Sequence, residues 1–416
     1  MVTGGTVICK YCNTKFCLKV QVSFSDHNNI RIPCPDCKVV LRGKFKMNNG
    51  GELSFENANI SGGINLADKI VRVSTEIPIV YTQDDPSNLL TPFMAYYSKN
   101  SLEGLQKFGH QYGRFVANRN NSLSDLKDLT DFIENDNFET ASKLINSGYK
   151  SIDYNTINDV KHLYSYIPDV FGEIMKHVFP KDYETQLYND KLVKHLVTPL
   201  ISDNQGIEIV LEKCRELYSL DRDYIASLRL LIKYIENIEP FLPLMVLSND
   251  LGSREEFISN EYQITTFDYS ELKEYYIEAF ELLSRITILY KGLIAYIDNG
   301  DPDIHNGRFG INCLEDYAEK NNGIKKDVIA RDTRLHNYFS FLLDNRIRNG
   351  IGHVKTKYIT ERQIIRYYPH KDSAKKDESE EITLTNFAYR SHLMMLAIYD
   401  GIRIISELHG IKQSTI

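Results

Sequence analysis

The sequence predicts a mainly α protein with a small N-terminal β module, and three observations carry that reading. Two Cys-x2-Cys pairs, Cys9/Cys12 and Cys34/Cys37, stand 21 residues apart near the start of the chain. Short extended stretches, separated by Gly- and Asn-rich turns, continue to about residue 90. Beyond residue 92 the apolar residues recur at steps of three and four for almost all of the remaining sequence, the period of a one-sided helix.

Taken in order, the first 60 residues read as a four-cysteine zinc ribbon. Two paired thiols on each of two turns can place four thiolates tetrahedrally around one Zn2+, so Cys9, Cys12, Cys34 and Cys37 are the expected ligands, one structural zinc per chain. A module this small cannot hold a core alone, and metal binding is expected to supply much of its folding free energy. Cys17 is a spare thiol, an ordinary strand residue or an alternative ligand, and His27 sits in a polar loop. Residues 1 to 50 carry eight Lys or Arg against Asp26 and Asp36, a surplus of six, whereas the whole chain is at −7 and the remainder therefore at −13. A basic module on an acidic body docks nucleic acid or docks the body itself, and the sequence leaves both open.

Residues 61–91 are expected to be a connecting segment of extended pieces, among them Glu52 to Phe55 just before it, Lys69 to Val73 and Pro78 to Tyr81, with a boundary at Thr82 to Asn88. Residues 92–264 form a helical region without an assigned role. Its amphipathic segments are Asp125 to Glu134, Phe138 to Ser147, Thr156 to His177, Asp190 to Ile201, Ile207 to Tyr218 and Asp223 to Ile238. His162, His177 and His195 are scattered singly and form no constellation. With 27 Tyr and no Trp, the core is expected to be aromatic with polar tips.

Composition bounds the rest. At 416 residues the chain is too long for one ordinary core. Hydrophobic residues at 42% and charged residues at 25% are those of a folded protein. No run of eighteen apolar residues suggests a membrane span, and the first residues lack a basic flank followed by an apolar stretch. Seven cysteines, five of them before residue 38, suit metal ligation in a reducing compartment better than a disulfide framework. The expected location is the cytoplasm, with no membrane partner.

Near Asp268 the clearest helix begins. Asp268 and Glu271 have capping-box spacing, and Leu272, Tyr276, Ala279, Leu283, Ile286, Tyr290, Leu293 and Ile297 mark one face as far as Asp298 to Pro302. A shorter helix is expected near Cys313 to Asn321 and another from about Asp332 to Arg348. It leads into Arg348-Asn349-Gly350-Ile351-Gly352-His353. Asn349 and His353 are four apart and share a helix face, and the long stem of Arg348 reaches the same side. An Arg for a phosphate, a His that titrates near neutral pH and an Asn to orient them suit phosphodiester cleavage without a metal. Asp344, one turn before Arg348, is a candidate for holding its guanidinium, or else a plain surface partner. Gly350 and Gly352 predict a kink or a fraying end.

Arg348-Asn349-x3-His353, at the end of a helix that follows a long helix, resembles the signature of the HEPN superfamily (higher eukaryotes and prokaryotes nucleotide-binding). The expected strand pair Gln363 to Tyr368 and Glu381 to Thr385, its charged tip Lys371 to Glu380, and a closing helix from Asn386 to Leu408 agree with it. The resemblance covers about residues 265–412 and implies a HEPN-like helical bundle with a β-hairpin insertion. It implies a metal-independent endoribonuclease whose catalytic residues are Arg348, Asn349 and His353, giving a 2′,3′-cyclic phosphate and a 5′-OH from RNA. A single motif per chain implies a homodimer with a composite site. The superfamily further implies a toxin-like or anti-phage effector, released by a phage-derived or protein trigger, with the ribbon and helical region in control. The rival expectation is a non-catalytic adaptor that binds nucleic acid or protein and dimerises through the C-terminal bundle. A zinc-ribbon transcription factor is disfavoured, because no helix-turn-helix or basic helix follows the ribbon.

Overall fold

Alternation of buried and exposed residues builds the N-terminal β region in this computed structural model, which describes residues 2–47, 51–61, 69–80, 91–97, 102–147, 160–175, 190–250, 262–352, 356–370, 372–373 and 378–412. Strands β1 (Val2–Cys9), β2 (Lys15–Gln21), β6 (Ala58–Ser61) and β7 (Lys69–Ser74) form one sheet in the order β6-β1-β2-β7, with β2 and β7 parallel. Strands β3 (His27–Pro33), β4 (Val40–Lys46) and β5 (Glu52–Phe55) form a second, antiparallel sheet. Inward-facing Val7, Phe16, Leu18, Val20, Ile30, Ile32, Leu41 and Phe45 share one apolar cluster, together with Cys9 and Cys34. The thiols at the strand ends are thus continuous with the core.

Two compact units share the chain. The first is built from Met1–Arg114, Asn237–Tyr275 and Asn349–His392. In it, β8 (Ile79–Val80) pairs with β9 (Tyr262–Gln263), and β10 (Lys357–Ile359), β11 (Ile364–Tyr367) and β12 (Glu380–Thr383) make a three-stranded antiparallel sheet. The expected C-terminal hairpin is β11 with β12, in the register Ile365↔Ile382 and Arg366↔Glu381, and Arg366 and Glu381 form an ion pair across it at 2.7 Å. Residues 371 and 374–377 of its tip lie outside the described residues, as does the boundary at Thr82 to Asn88.

The helix expected at Asp268 runs from Tyr269 to Asn299. Asp268 Oδ1 accepts from the N–H groups of Ser270 (2.8 Å) and Glu271 (3.1 Å), and Glu271 Oε2 accepts from Asp268 N (3.4 Å), which is the capping box the spacing predicts. The same two acids hold N-terminal cations: Arg42 Nε lies 3.3 Å from Asp268 and Arg31 Nη2 lies 2.7 Å from Glu271. Part of the basic surplus therefore docks on the chain's own acidic residues. Another acid, Glu76, is fully buried and accepts from the backbone N–H groups of Ser23 (2.6 Å), Phe24 (2.8 Å) and Ser25 (2.5 Å), clamping the β2–β3 connection.

The second unit comprises Phe115–Glu236, Tyr276–Arg348 and Leu393–Ile416 and is helical. Three tyrosines bury their rings and satisfy their hydroxyls on neighbouring helices: Tyr399 to the Pro168 carbonyl (3.0 Å), Tyr317 to Thr287 (3.0 Å) and Tyr224 with Ser406 (3.1 Å). Asp223, buried, is held by Arg285 Nε at 2.9 Å from each carboxylate oxygen. Among the described residues no helix is long and apolar enough to cross a membrane.

One expected helix is two. The stretch from Asp332 to Arg348 divides into His336–Leu342 and Asn345–Gly352. Leu343 leaves helical geometry (φ −86°, ψ 58°), and Asp344 starts the next helix, its carboxylate accepting from Arg346 N at 3.1 Å and its carbonyl from Arg348 N at 3.1 Å. Asp is a strong N-cap because its short side chain satisfies an orphan donor of the first turn. The Arg348 motif therefore rides on its own short helix.

Candidate functional site

Each Cys-x2-Cys pair closes a hairpin, the first between β1 and β2, the second between β3 and β4. The two turns repeat one hydrogen-bond pattern. The first cysteine's N–H donates to a carbonyl five residues on, Cys9 to Thr14 at 3.1 Å and Cys34 to Val39 at 2.8 Å. Its carbonyl accepts from an N–H four residues on, Asn13 at 3.0 Å and Lys38 at 3.2 Å. Asn13 and Lys38 accordingly adopt φ of +59° and +64°, the left-handed turn that lets each pair aim both sulfurs at one point.

The four sulfurs then meet. Cys9 Sγ lies 3.8 Å from Cys37 Sγ, Cys12 Sγ lies 3.6 Å from Cys34 Sγ, and all four are within 4.8 Å of one another. A tetrahedral ion with metal–sulfur bonds of about 2.3 Å separates its ligands by about 3.8 Å, so the thiols can hold a metal ion with little movement. Thr14 Oγ1 donates to Asp36 Oδ2 at 3.2 Å and ties the two turns together.

The thiol protons respond to this crowding. Hydrogen bonding with the Thr14 side chain, and then with its backbone, draws Cys12 down to about 6. Burial pushes Cys34 up. Although the Val39 N–H favours the thiolate of Cys37, desolvation and the neighbouring thiols push it up to about 12. Four thiolates this close repel one another, and a divalent cation removes that repulsion. Cys17, fully buried on β2, stands outside the cluster.

At the second expected site, Arg348 and Asn349 are consecutive, half-buried residues of the Asn345–Gly352 helix. His353 lies outside the described residues. The guanidinium of Arg348 meets the carboxylate of Glu281 along its Nε–Nη2 edge, at 2.7 and 2.6 Å to Oε1. Glu281 belongs to the Tyr269–Asn299 helix and itself accepts from Asn322 Nδ2 at 3.4 Å, while Asn322 Oδ1 accepts from Ser284 Oγ at 2.8 Å. Sequence reasoning passed over Glu281. Its separation of 67 residues from Arg348 leaves no local signal, and between the apolar positions of an amphipathic helix it reads as a solvated charge. Gly350 is buried against β11, where a Cβ would stand 2.4 Å from Tyr367 Cδ2 and 3.0 Å from Tyr367 Cβ. Gly350 is a packing requirement, and of the two expectations, kink or helix end, the second holds, the helix ending at Gly352.

A cavity of about 510 Å³ in the second unit has Tyr164 stacked on His409, ring centroids 4.5 Å apart, beside Arg215, Arg222 and Asp221. Its charges are of both signs and select no ligand class. Comparison of the chain with protein-family models, with curated proteins and with solved structures finds no match.

Proposed function

We propose that the chain is a metal-independent endoribonuclease whose four-cysteine centre holds a structural Zn2+. The observation that carries the first half is Arg348: the first residue of an Arg-Asn-x3-His sequence, on a short helix, with its guanidinium oriented by a carboxylate at 2.6 Å. Holding one edge of the fork directs the five-donor guanidinium as a whole, which is what recognition of a phosphodiester requires. The ribose 2′-OH loses its proton and attacks the adjacent phosphorus, the P–O5′ bond breaks and the 5′-oxygen leaves as a protonated hydroxyl, His353 transfers protons at these oxygens, and Arg348 stabilises charge gathering on the phosphoryl oxygens. Asn349 orients the phosphate. A second copy of the chain supplies the second Arg–His set, in a homodimer that uses the same patch on both subunits. As a cytoplasmic RNase of this kind is toxic to its host, we place it as a toxin-like or anti-phage effector under control of its other parts.

For the metal, the S4 donor set and the 3.6–3.8 Å sulfur spacings support zinc, which takes four thiolates tetrahedrally and needs no open position in a structural site. The ion's chemistry here is to hold two hairpins together. No catalytic step depends on it.

The test incubates wild type, Arg348→Ala and His353→Ala with total RNA in EDTA, with metal content measured before and after so that loss of the ion is not mistaken for loss of activity. Cleavage by wild type alone, leaving 2′,3′-cyclic phosphate ends, is expected. Equal cleavage by the variants, or none by wild type as a monomer or a dimer, refutes the reading.

A further inference from the structure

The turn at residues 306–310 presents an exposed phenylalanine in a backbone conformation that bulky residues avoid. Gly307, Phe309 and Gly310 have φ of +66°, +58° and +67°. Glycine takes such values freely and phenylalanine seldom does. Phe309 gains no compensating burial, being 39% exposed. Its ring is instead met by a cation: the guanidinium carbon of Arg331 stands 4.7 Å from the ring centroid.

Two more cations lie at the same turn. Arg308 precedes it and is exposed, and Lys320 Nζ lies 3.7 Å from where a Cβ on Gly310 would sit. Neighbouring acids are engaged elsewhere: Asp303 with Lys213 at 2.7 Å, Asp316 with the Asn312 N–H at 2.8 Å, Asp298 and Asp332 with Arg334 at 2.8 Å each. Among the described residues no carboxylate forms an ion pair with Arg308, Lys320 or Arg331. On a chain whose net charge is −7, the turn thus brings together one exposed aromatic ring and three cations without an ion-pair partner among the described residues.

The geometry points to a contact surface for single-stranded RNA, in which a base stacks at Phe309 and Arg331 while Arg308 and Lys320 neutralise the adjoining phosphates. The combination of a ring, a planar cation and point charges matches a nucleotide in both its parts. An acidic peptide would use the cations and leave the ring idle. The choice of RNA as occupant rests on the ribonuclease reading above, and the surface is spatially defined without reference to His353.

The experiment measures anisotropy of a labelled single-stranded oligonucleotide with 2′-O-methyl riboses, which lack the attacking hydroxyl, on the full chain over a range of salt. Wild type is expected to bind. Phe309→Leu, which keeps apolar bulk and loses the π-face, is expected to weaken binding between about 5- and 100-fold with an unchanged melting temperature. Arg308→Gln should weaken binding and lower the slope of log affinity against log salt by about 0.7. No binding by wild type, or both variants within twofold of it, overturns the proposal. Binding lost by Arg308→Gln but kept by Phe309→Leu also overturns it, because the surface would then be a general anion patch. Cleavage by wild type and Arg348→Ala, measured separately, reads the ribonuclease proposal alone, since the 2′-O-methyl probe cannot be cut.

Discussion

Replacing Cys34 by serine separates a metal centre from a buried thiol, because the chain contains its own control. Cys34 and Cys17 are both fully buried in the N-terminal β region, but Cys34 Sγ lies 3.6 Å from Cys12 Sγ and belongs to the four-sulfur cluster, whereas Cys17 stands outside it. The same Cys→Ser change at each site carries the same cost of burying a hydroxyl, about 1–3 kcal/mol. Only Cys34→Ser also removes a ligand. A structural four-ligand zinc site contributes roughly 10–16 kcal/mol in small domains, so one thiolate in four is worth about 3–4 kcal/mol, a several-hundredfold loss of affinity. The assay is metal content by elemental analysis after dialysis against a competing chelator, with the unfolding midpoint followed in parallel. About one ion per chain is expected in wild type and Cys17→Ser, and much less in Cys34→Ser, with the midpoint falling further than in Cys17→Ser. Equal metal content and equal midpoints for the two variants would falsify the centre.

Three further outcomes follow from named contacts. Gly350→Ala gains up to about 1 kcal/mol in helix propensity but drives a Cβ to 2.4 Å from Tyr367 Cδ2, and with the Tyr367 Cβ also at 3.0 Å the ring cannot simply swing away; overpacking of about 1–3 kcal/mol should win. Chemical denaturation should show net destabilisation that shrinks in a Tyr367→Leu background, and a stabilised Gly350→Ala single variant would contradict the packing. Glu281→Gln should leave stability within about 1 kcal/mol, because the pair with Arg348 is part-exposed, while RNA cleavage falls at least tenfold through loss of guanidinium orientation; undiminished cleavage removes that role. Burial pushes Glu76 up to about 7 from an ordinary 4.5, so its protonated form is favoured by folding. Its contribution is fully present below about pH 4.5 and is lost as pH rises through about 7, so the stability of wild type relative to Glu76→Gln should decline across that window and level off above it. A difference that is flat with pH would show that the three backbone donors of Ser23, Phe24 and Ser25 have kept the carboxylate ionised throughout.

Local physics was legible in the residues. Phe138–Asn146, Asn204–Leu217 and Leu220–Glu236 are helices where the apolar period places them, and Tyr269–Asn299 starts where Asp268 and Glu271 cap it. β5 and β7 begin at the residues expected, Glu52 and Lys69. Where the reading missed, a single side chain outweighed the period: the apolar pattern runs through Leu343 and Asp344, but the Asp344 carboxylate begins a new helix there. The smallness of Gly350 has no local signal, since its reason is a ring on a strand 17 residues later in the chain.

The sequence by itself determined the element types, the long helix with its cap, and the four thiols, because each depends on residues within a few positions or on a repeated local spacing. Tertiary structure decided how those parts are used. Two compact units are each assembled from three separate stretches, the sulfurs of two distant hairpins come within 3.6–3.8 Å in their closest pairs, and Glu281 reaches Arg348 across 67 residues. Such contacts are set by how side chains fill a shared interior, and a one-dimensional pattern records which faces are apolar without recording what each face will meet.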